Sequence, residues 1–439
     1  MGVFFGTDGL RGSVNVDLTS SVAYRCGNSL GVMGKGLKVI IGRDTRGSGS
    51  MLMLAFACGA VSAGLDVVDV GICPTAGISY LTKLLGFDYG VVISASHNPS
   101  EFNGIKIFDK NGKKISEKIE NILERNFLKQ NIVNINYLGK FKSNPKLVKK
   151  YVSFLLKSTT LNLDGKTVVL DCSNGASYKI APQVFKKTGA KIITTYASPN
   201  KININKNCGS LNIQKLQANV LKYKADFGFA FDGDSDRVIA VDETGSVIDG
   251  DLLVYLFAKY YQSLNKLKNA AVVGTHHTNM GVEIALNNLD IKLYRTDIGD
   301  RYVSEKLDEM DLCIGGEQSG HIFVKDKLDT GDGILNALLI SEIIKNSRDK
   351  LSKLVNIKKY EQCNLNVKVK NKINIINSKT LSDEKARQEG ILLNKGRLMV
   401  RMSGTEPYIR IMVETLDKNL SRQVAEELER VIKLIDEDL

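Results

Sequence analysis

Three mixed α/β units followed by a C-terminal α+β unit are what this sequence of 439 residues predicts. Apolar runs short enough for buried strands alternate with helical stretches as far as Asn346, the pattern of sheets covered by helices. Several of these runs end in loops that gather hydroxyl, carboxylate and basic side chains, and α/β proteins place their chemistry at strand ends. The last stretch differs. Asn364–Val369, Arg397–Met402 and Tyr408–Glu414 alternate like strands of a one-faced sheet, and Leu420–Ile435 is one long amphipathic helix. The expected boundaries are 1–150, 151–250, 251–360 and 361–439.

Taken in order, the first unit has a strand at Lys38–Ile41, a small-residue helix over Ser50–Gly64, and strands at Asp66–Val70 and Gly90–Ile93. Asn103–Phe108 reads as turn then strand, and Glu117–Asn126 as a charged amphipathic helix. Tyr137–Lys150 reads as a polar, Lys-rich connection. The second unit has strands at Thr167–Asp171, Lys191–Tyr196 and Phe227–Phe231. The third opens with a helix over Asp251–Leu264. Strand Ala271–Gly274, helix Gly281–Asn288, strand Lys292–Arg295 and helices Arg301–Met310 and Gly333–Asn346 follow.

Lys and Arg number 60 against 48 Asp and Glu, giving a net charge of +12. The basic residues are dispersed, without the aromatic-interleaved patches of RNA readers. The balance suits a solvated exterior around a site for an anionic substrate, and argues against a nucleic-acid partner. Seven cysteines at wide spacings, without a C-x-x-C, suggest free thiols in a reducing compartment. The expectation is a cytoplasmic protein with no membrane partner.

Two loops carry the chemistry. Ser94-Ala95-Ser96-His97-Asn98-Pro99 follows the apolar run Gly90–Ile93 and puts a hydroxyl at a strand end, with Lys106 ten residues on. Asp232-Gly233-Asp234-Ser235-Asp236-Arg237 follows Phe227–Phe231. Its three carboxylates would share one side of an extended segment, and hard oxygen ligands in this number suit Mg²⁺. An EF-hand is excluded, because Arg237 stands where that loop needs Gly and the flanks are strand-like. Arg237 could give charge-assisted donors to a phosphate, or pair with an Asp of its own loop. His276 and His277 are adjacent, which would put them on opposite faces of a strand. They read as loop residues rather than metal ligands.

These stretches resemble, in order, the α-D-phosphohexomutase superfamily. The resemblance runs through Phe5–Gly12, Gly42–Arg46, Ser94–Pro99, Asp232–Arg237, Gly299–Tyr302, Gly315–His321 and Arg401–Pro407. It implies four domains around a central cleft, with Ser96 rather than Ser94 as the phosphorylated serine. It also implies Mg²⁺ held by Asp232, Asp234, Asp236 and the phosphate on Ser96. Arg11, His97 and Lys106 match positions near the transferred group, Glu317 and Ser319 a sugar-contacting loop, and His321 a proton-transfer group. Arg401, Ser403, Gly404 and Thr405 match a loop gripping the distal phosphate, to which Arg410 can add charge. The backbone N–H groups and hydroxyls of such a loop suit an oxyanion. Met402 stands where relatives commonly have Pro, which makes for a less rigid approach to that loop.

The activity implied is interconversion of glucosamine 6-phosphate and glucosamine 1-phosphate, supplying amino-sugar precursor for the cell wall. It would run through a phosphoserine and a bound 1,6-bisphosphate. Glucosamine 1,6-bisphosphate or glucose 1,6-bisphosphate would be the activator. Glu317 within Glu-Gln-Ser favours the amino sugar. A glucose or mannose phosphate mutase of the same superfamily, or a metal-dependent sugar phosphatase, are the alternatives. The partner is a small-molecule sugar phosphate, and the oligomeric state is open, a homodimer included. Hinged movement of the fourth domain near Leu354–Cys363 would exclude water from the phosphoserine.

Overall fold

The structure is a computed structural model that describes residues 5–6, 9–128, 133, 137–403 and 406–437. It divides into two compact units: Met1–His277 with Asp290–Asn356, and Thr278–Leu289 with Ile357–Leu439. The chain crosses between them three times, at 277/278, 289/290 and 356/357, the last within the segment Leu354–Cys363.

Unit 1 holds three sheets. The first contains β1 (Phe5–Gly6), β2 (Gly9–Ser13), β3 (Lys38–Arg43), β4 (Asp66–Ile72), β5 (Tyr89–Ile93), β6 (Phe102–Asp109) and β7 (Phe141–Ser143), in the order β1-β2-β6-β5-β3-β4-β7. The second contains β8 (Thr167–Asp171), β9 (Lys191–Thr195), β10 (Phe227–Phe231), β11 (Val238–Asp242) and β12 (Val247–Ile248), in the order β12-β11-β10-β8-β9. The third contains β13 (Ala271–Thr275), β14 (Lys292–Thr296), β15 (Ile314–Gly316) and β16 (Ile322–Val324), in the order β14-β13-β15-β16.

One device recurs in all three. A buried strand that is parallel to one neighbour (β5 to β3, β10 to β8, β15 to β13) turns back into an antiparallel partner (β6, β11, β16). The three connections are the serine loop, the acidic loop and the Glu317–His321 loop. The chemistry-bearing loops thus hold equivalent places in three related sheets. Burial on both faces explains why β5 and β10 read as unbroken apolar runs.

The helix at Gly49–Ser62 is small and apolar because it crosses the helix at Ser20–Ser29 at backbone contact. A Cβ on Gly59 would lie 1.9 Å from the Tyr24 carbonyl oxygen. Side-chain ties join the elements around the three sheets. Arg301 makes a bidentate pair with Glu120, the Tyr151 hydroxyl donates to Asp332 Oδ2 at 2.9 Å, and Thr45 Oγ1 to the Asn174 carbonyl at 2.5 Å.

The structure corrects one expectation here. Tyr137–Lys150 is not only a connection. It contains the edge strand β7, parallel to β4, and the start of the helix Val148–Lys157. All three β7 residues are exposed, so no apolar alternation marks it.

Unit 2 is the α+β unit. β17 (Glu361–Lys368), β18 (Gly396–Met402) and β19 (Tyr408–Thr415) form an antiparallel sheet in the order β17-β19-β18. The helix Lys418–Glu437 covers one face with Val424, Leu428 and Ile432. No helix among the described residues is long and apolar enough to cross a membrane.

Candidate active site

Ser96 is fully buried and sits at φ 52°, a left-handed conformation unusual outside Gly and Asn. Its Oγ donates to Asp232 Oδ2 at 2.5 Å and lies 3.4 Å from His97 Nδ1. Ser94 is occupied otherwise. Its hydroxyl donates to Asp44 Oδ2 at 2.7 Å and accepts the Ser96 backbone N–H at 2.9 Å. The two serines are therefore distinct in kind: Ser94 is a brace, and Ser96 faces the acidic loop.

That loop is not extended, as the i, i+2, i+4 spacing suggested. Ser235 takes φ 62° and its N–H returns to the Asp232 carbonyl at 3.1 Å, so the chain turns on itself. The turn draws the carboxylates together. One oxygen from each of Asp232, Asp234 and Asp236 lies within 4.8 Å of the others, all buried; among the described residues no other group of metal-ligating side chains comes together this way. Asp234 Oδ2 accepts from Thr75 Oγ1 at 2.7 Å and from Lys106 Nζ at 2.9 Å, and Asp236 Oδ2 accepts from Lys106 at 2.9 Å. Asp234 Oδ1 and Asp236 Oδ1 are buried without a hydrogen bond. Three buried carboxylates drawn within 4.8 Å of one another, two of them with an oxygen that accepts no hydrogen bond, fit a small divalent cation.

The electrostatics agree. Burial, with Asp236 and Asp234 close by, holds the Asp232 carboxyl well above the usual carboxylate range. Burial pushes Asp236 upward too, but Lys106, His321 and Arg237 outweigh it and hold that carboxyl well below the usual range. His97 is pushed down to about 4 by burial, then by Arg237 and Arg11. The side chain beside Ser96 is thus neutral, and two guanidinium groups face it.

The third loop adds His321, buried between Asp236 Oδ1 at 3.6 Å and Asp300 Oδ2 at 3.5 Å. Burial works against its charge, yet Asp236 and Asp300 raise its pKa above the ordinary value. Glu317 Oε1 accepts the Gly299 N–H at 3.0 Å, and burial, with Asp300 nearby, pushes its carboxyl up. Ser319 Oγ is covered and has no hydrogen-bond partner among the described residues. Unit 1 therefore brings Ser96, His97, Lys106, Asp232, Asp234, Asp236, Arg237 and His321 together, with Arg11 near enough to His97 to depress its pKa.

Arg401, Ser403 and Arg410 lie in unit 2. Arg401 and Arg410 stand directly opposite each other in the β18–β19 register. Like charges so placed repel unless an anion comes between them. Arg410 also reaches Glu406 at 2.8 Å. Ser403 is buried, and its carbonyl accepts from Lys372 Nζ at 2.7 Å. Gly404 and Thr405 lie outside the described residues. His276 and His277 are in the turn after β13, and His276 is half-exposed with Asp297 Oδ1 at 3.7 Å.

Four family descriptions match along the chain: phosphoglucomutase/phosphomannomutase alpha/beta/alpha domain I at residues 2–132, domain II at 149–245, domain III at 249–360, and the C-terminal domain at 365–431. The chain belongs to the phosphohexomutase family. Within it the phosphoglucosamine mutases are close relatives. That of Caldanaerobacter subterraneus subsp. tengcongensis is 44% identical over 446 residues, and that of Ruthia magnifica 42% over 439; the match covers 98–99% of this chain and 99% of each relative. Solved structures share the fold. A phosphoglucomutase/phosphomannomutase family protein of Burkholderia thailandensis superposes with a TM-score of 0.82 at 24% identity, covering 98% of this chain and 97% of the other. Aspergillus fumigatus N-acetylphosphoglucosamine mutase in complex with GlcNAc-6P and magnesium gives 0.65 at 18% identity, covering 99% and 96%.

Parts of this phosphohexomutase site went unassigned in the sequence. Thr75, at the start of its helix, donates to Asp234 Oδ2 by its hydroxyl and to the Asp234 carbonyl by its N–H at 3.0 Å. Asp300 holds His321 and pairs with Lys114 at 2.7 Å. Gly299-Asp300-Arg301 was visible as a motif, but its task shows only in space: it fixes Glu317, His321 and Glu120 in turn.

Proposed function

We propose that this protein is a phosphoglucosamine mutase whose Ser96 carries the phosphoryl group between glucosamine 6-phosphate and glucosamine 1-phosphate. The observation that carries the reading is Ser96 Oγ at 2.5 Å from Asp232 Oδ2, in an acidic loop whose three buried carboxylates come within 4.8 Å of one another. Asp232, Asp234, Asp236 and the Ser96 phosphate would hold Mg²⁺. When bound, that ion supplies charge stabilisation for the phosphoryl group in transit.

The chain's own residues do the rest. Phosphoryl transfer depends mostly on positioning and charge. The sugar O1 hydroxyl attacks phosphorus as the Ser96 Oγ–P bond breaks, and the 1,6-bisphosphate forms. The bisphosphate turns over, its 6-phosphate returns to Ser96 Oγ, and glucosamine 1-phosphate leaves. Arg11, Arg237 and Lys106 balance the charge on the three equatorial oxygens. His97, neutral near pH 7, suits the role of proton acceptor for the attacking hydroxyl. His321, whose pKa Asp236 and Asp300 raise above the ordinary value, suits donation. Glu317 and Ser319 contact the sugar, and the Glu317 carboxylate can pair with the C2 ammonium. Arg401, Ser403, Gly404, Thr405 and Arg410 grip the phosphate that is not reacting. Glucosamine 1,6-bisphosphate or glucose 1,6-bisphosphate restores Ser96 after adventitious hydrolysis.

A coupled assay tests this. Turnover with glucosamine 6-phosphate should exceed that with glucose or mannose 6-phosphate by at least about tenfold in kcat/KM, which is about 1.4 kcal/mol of transition-state preference. Steady release of inorganic phosphate without product isomer would make the protein a phosphatase instead.

A further inference from the structure

We propose that Asn205, acting with Arg46, is a positioning residue that sets where Ser96 stands relative to the acidic loop. The inference rests on Ser96 being the phosphoryl carrier, and on contacts that lie behind the reacting side of the serine loop.

A serine at φ 52° keeps that conformation only if its surroundings over-determine it. Here they do. The Ser96 carbonyl accepts from Arg46 Nη2 at 2.9 Å and from Asn205 Nδ2 at 2.8 Å. The Asn98 carbonyl accepts from the same two nitrogens, at 2.7 and 3.0 Å. Arg46 Nη1 also holds the Phe102 carbonyl at 2.9 Å and the Pro99 carbonyl. The Arg46 side chain is fully buried, and Asp44 orients it by accepting from Nε at 2.8 Å. The same Asp44 carboxylate receives Ser94, so the brace on the Ser96 N–H and the clamp on its C=O share one anchor.

Asn205 adds what Arg46 cannot. Arg46 belongs with the first sheet, as Ser96 does, whereas Asn205 comes from the segment between β9 and β10 of the second. Its backbone N–H is fixed on the Ser173 carbonyl at 2.9 Å. It therefore ties the serine loop to the module that carries Asp232. Gly233 marks how close the two loops come: a Cβ there would lie 2.6 Å from the Ser96 carbonyl oxygen and 3.0 Å from Asn205 Nδ2. Two carbonyls converge on one nitrogen, so only the NH₂ end of the amide can face them. An isosteric carboxylate would lose both donors and repel both oxygens.

The test uses the full-length protein and two variants, Asn205→Ala and Asn205→Asp, assayed with glucosamine 6-phosphate. A displacement of well under an ångström in a phosphoryl donor reduces kcat, since alignment supplies much of the rate. The amide touches no part of the sugar site, so KM should stay within about twofold. We expect kcat to fall about tenfold in Asn205→Ala and about a hundredfold in Asn205→Asp. In single-turnover experiments, transfer from phospho-Ser96 should slow by the same factors while phosphate remains on Ser96. Wild-type kcat in Asn205→Ala overturns the inference, as does a loss shared equally by kcat and KM. Should Asn205→Asp fail to fold, Asn205→Ala alone decides. Wild-type turnover with no phosphate on Ser96 in peptide spectra would instead overturn the assignment of the carrier, and this inference with it.

Discussion

The serine and acidic loops of unit 1 and the Arg401–Arg410 surface of unit 2 are built in opposite ways. In unit 1 the charged groups are buried and interlocked: Lys106 bridges two aspartates, and Ser96 is held through its side chain, N–H and C=O. In unit 2 two arginines face each other across a sheet, partly exposed. Rigid alignment belongs where a bond is made and broken. On the proposed reading, a grip that must accept either end of a bisphosphate needs charge more than exact angles.

The sharpest way to break this contrast is at the serines. Ser96→Ala should abolish turnover, with intact-mass spectra showing no phosphate. Ser94→Ala should retain measurable activity, about tenfold reduced, because it removes a brace worth about 1–3 kcal/mol and no reacting atom. Phosphate on Ser94 alone would reverse the two roles.

Next come the aspartates. Asp232→Asn, Asp234→Asn and Asp236→Asn should each lower kcat by orders of magnitude, since several kcal/mol of charge stabilisation goes with the ion. Chelator should do the same to the native protein, with Mg²⁺ restoring it; full activity in excess chelator would remove the ion from the reaction.

Arg401→Ala should act more mildly and in both constants. A contact kept from ground state to transition state raises KM when lost, and a mispositioned hydroxyl lowers kcat. Unchanged constants would leave unit 2 without a part in binding.

The smallest effect is on stability and lies away from both regions. Burial pushes Asp171 up to about 6, although its carboxylate accepts the N–H groups of Ser173 and Gly209. The folded state therefore holds this proton more tightly than the unfolded state, where the ordinary value is 3.8. The contribution is fully present below pH 3.8 and is lost as pH rises through about 6. Native stability should decline across that window by on the order of 2–3 kcal/mol relative to Asp171→Asn. Parallel denaturant curves for the two proteins at pH 4 and pH 6.5 would refute it.

What the sequence made legible was local. The serine loop and the acidic loop each lie within a few residues of the apolar strand before them, so motif and apolar run speak together, whereas the choice of Ser96 over Ser94 came from the family resemblance. Lys106 was legible as a base ten residues past Ser96, but its bridge to Asp234 and Asp236 was not, since they lie 128 and 130 positions away. Asn205 was not, because its partner Ser96 is 109 positions away and its own stretch is an Asn- and Lys-rich loop without period. Thr75 was missed for the same reason, lying 159 positions from Asp234. The acidic loop was read with its three carboxylates singled out and its backbone wrong, since nothing in Asp-Ser-Asp signals that Ser235 turns left-handed. β7 escaped because an exposed edge strand has no face to bury.

The bidentate Arg301–Glu120 pair has a consequence for how unit 1 comes apart. Its partners sit on helices that flank the third and first sheets, and both are nearly buried. Separating those sheets would lose that pair's two charge-assisted hydrogen bonds, at a cost of about 1.5–3 kcal/mol each. Tyr151 with Asp332, and Thr45 with the Asn174 carbonyl, add to that cost. An intermediate with one sheet melted and two intact is thereby disfavoured. These ties couple the three sheets against separate melting, though each sheet follows one design.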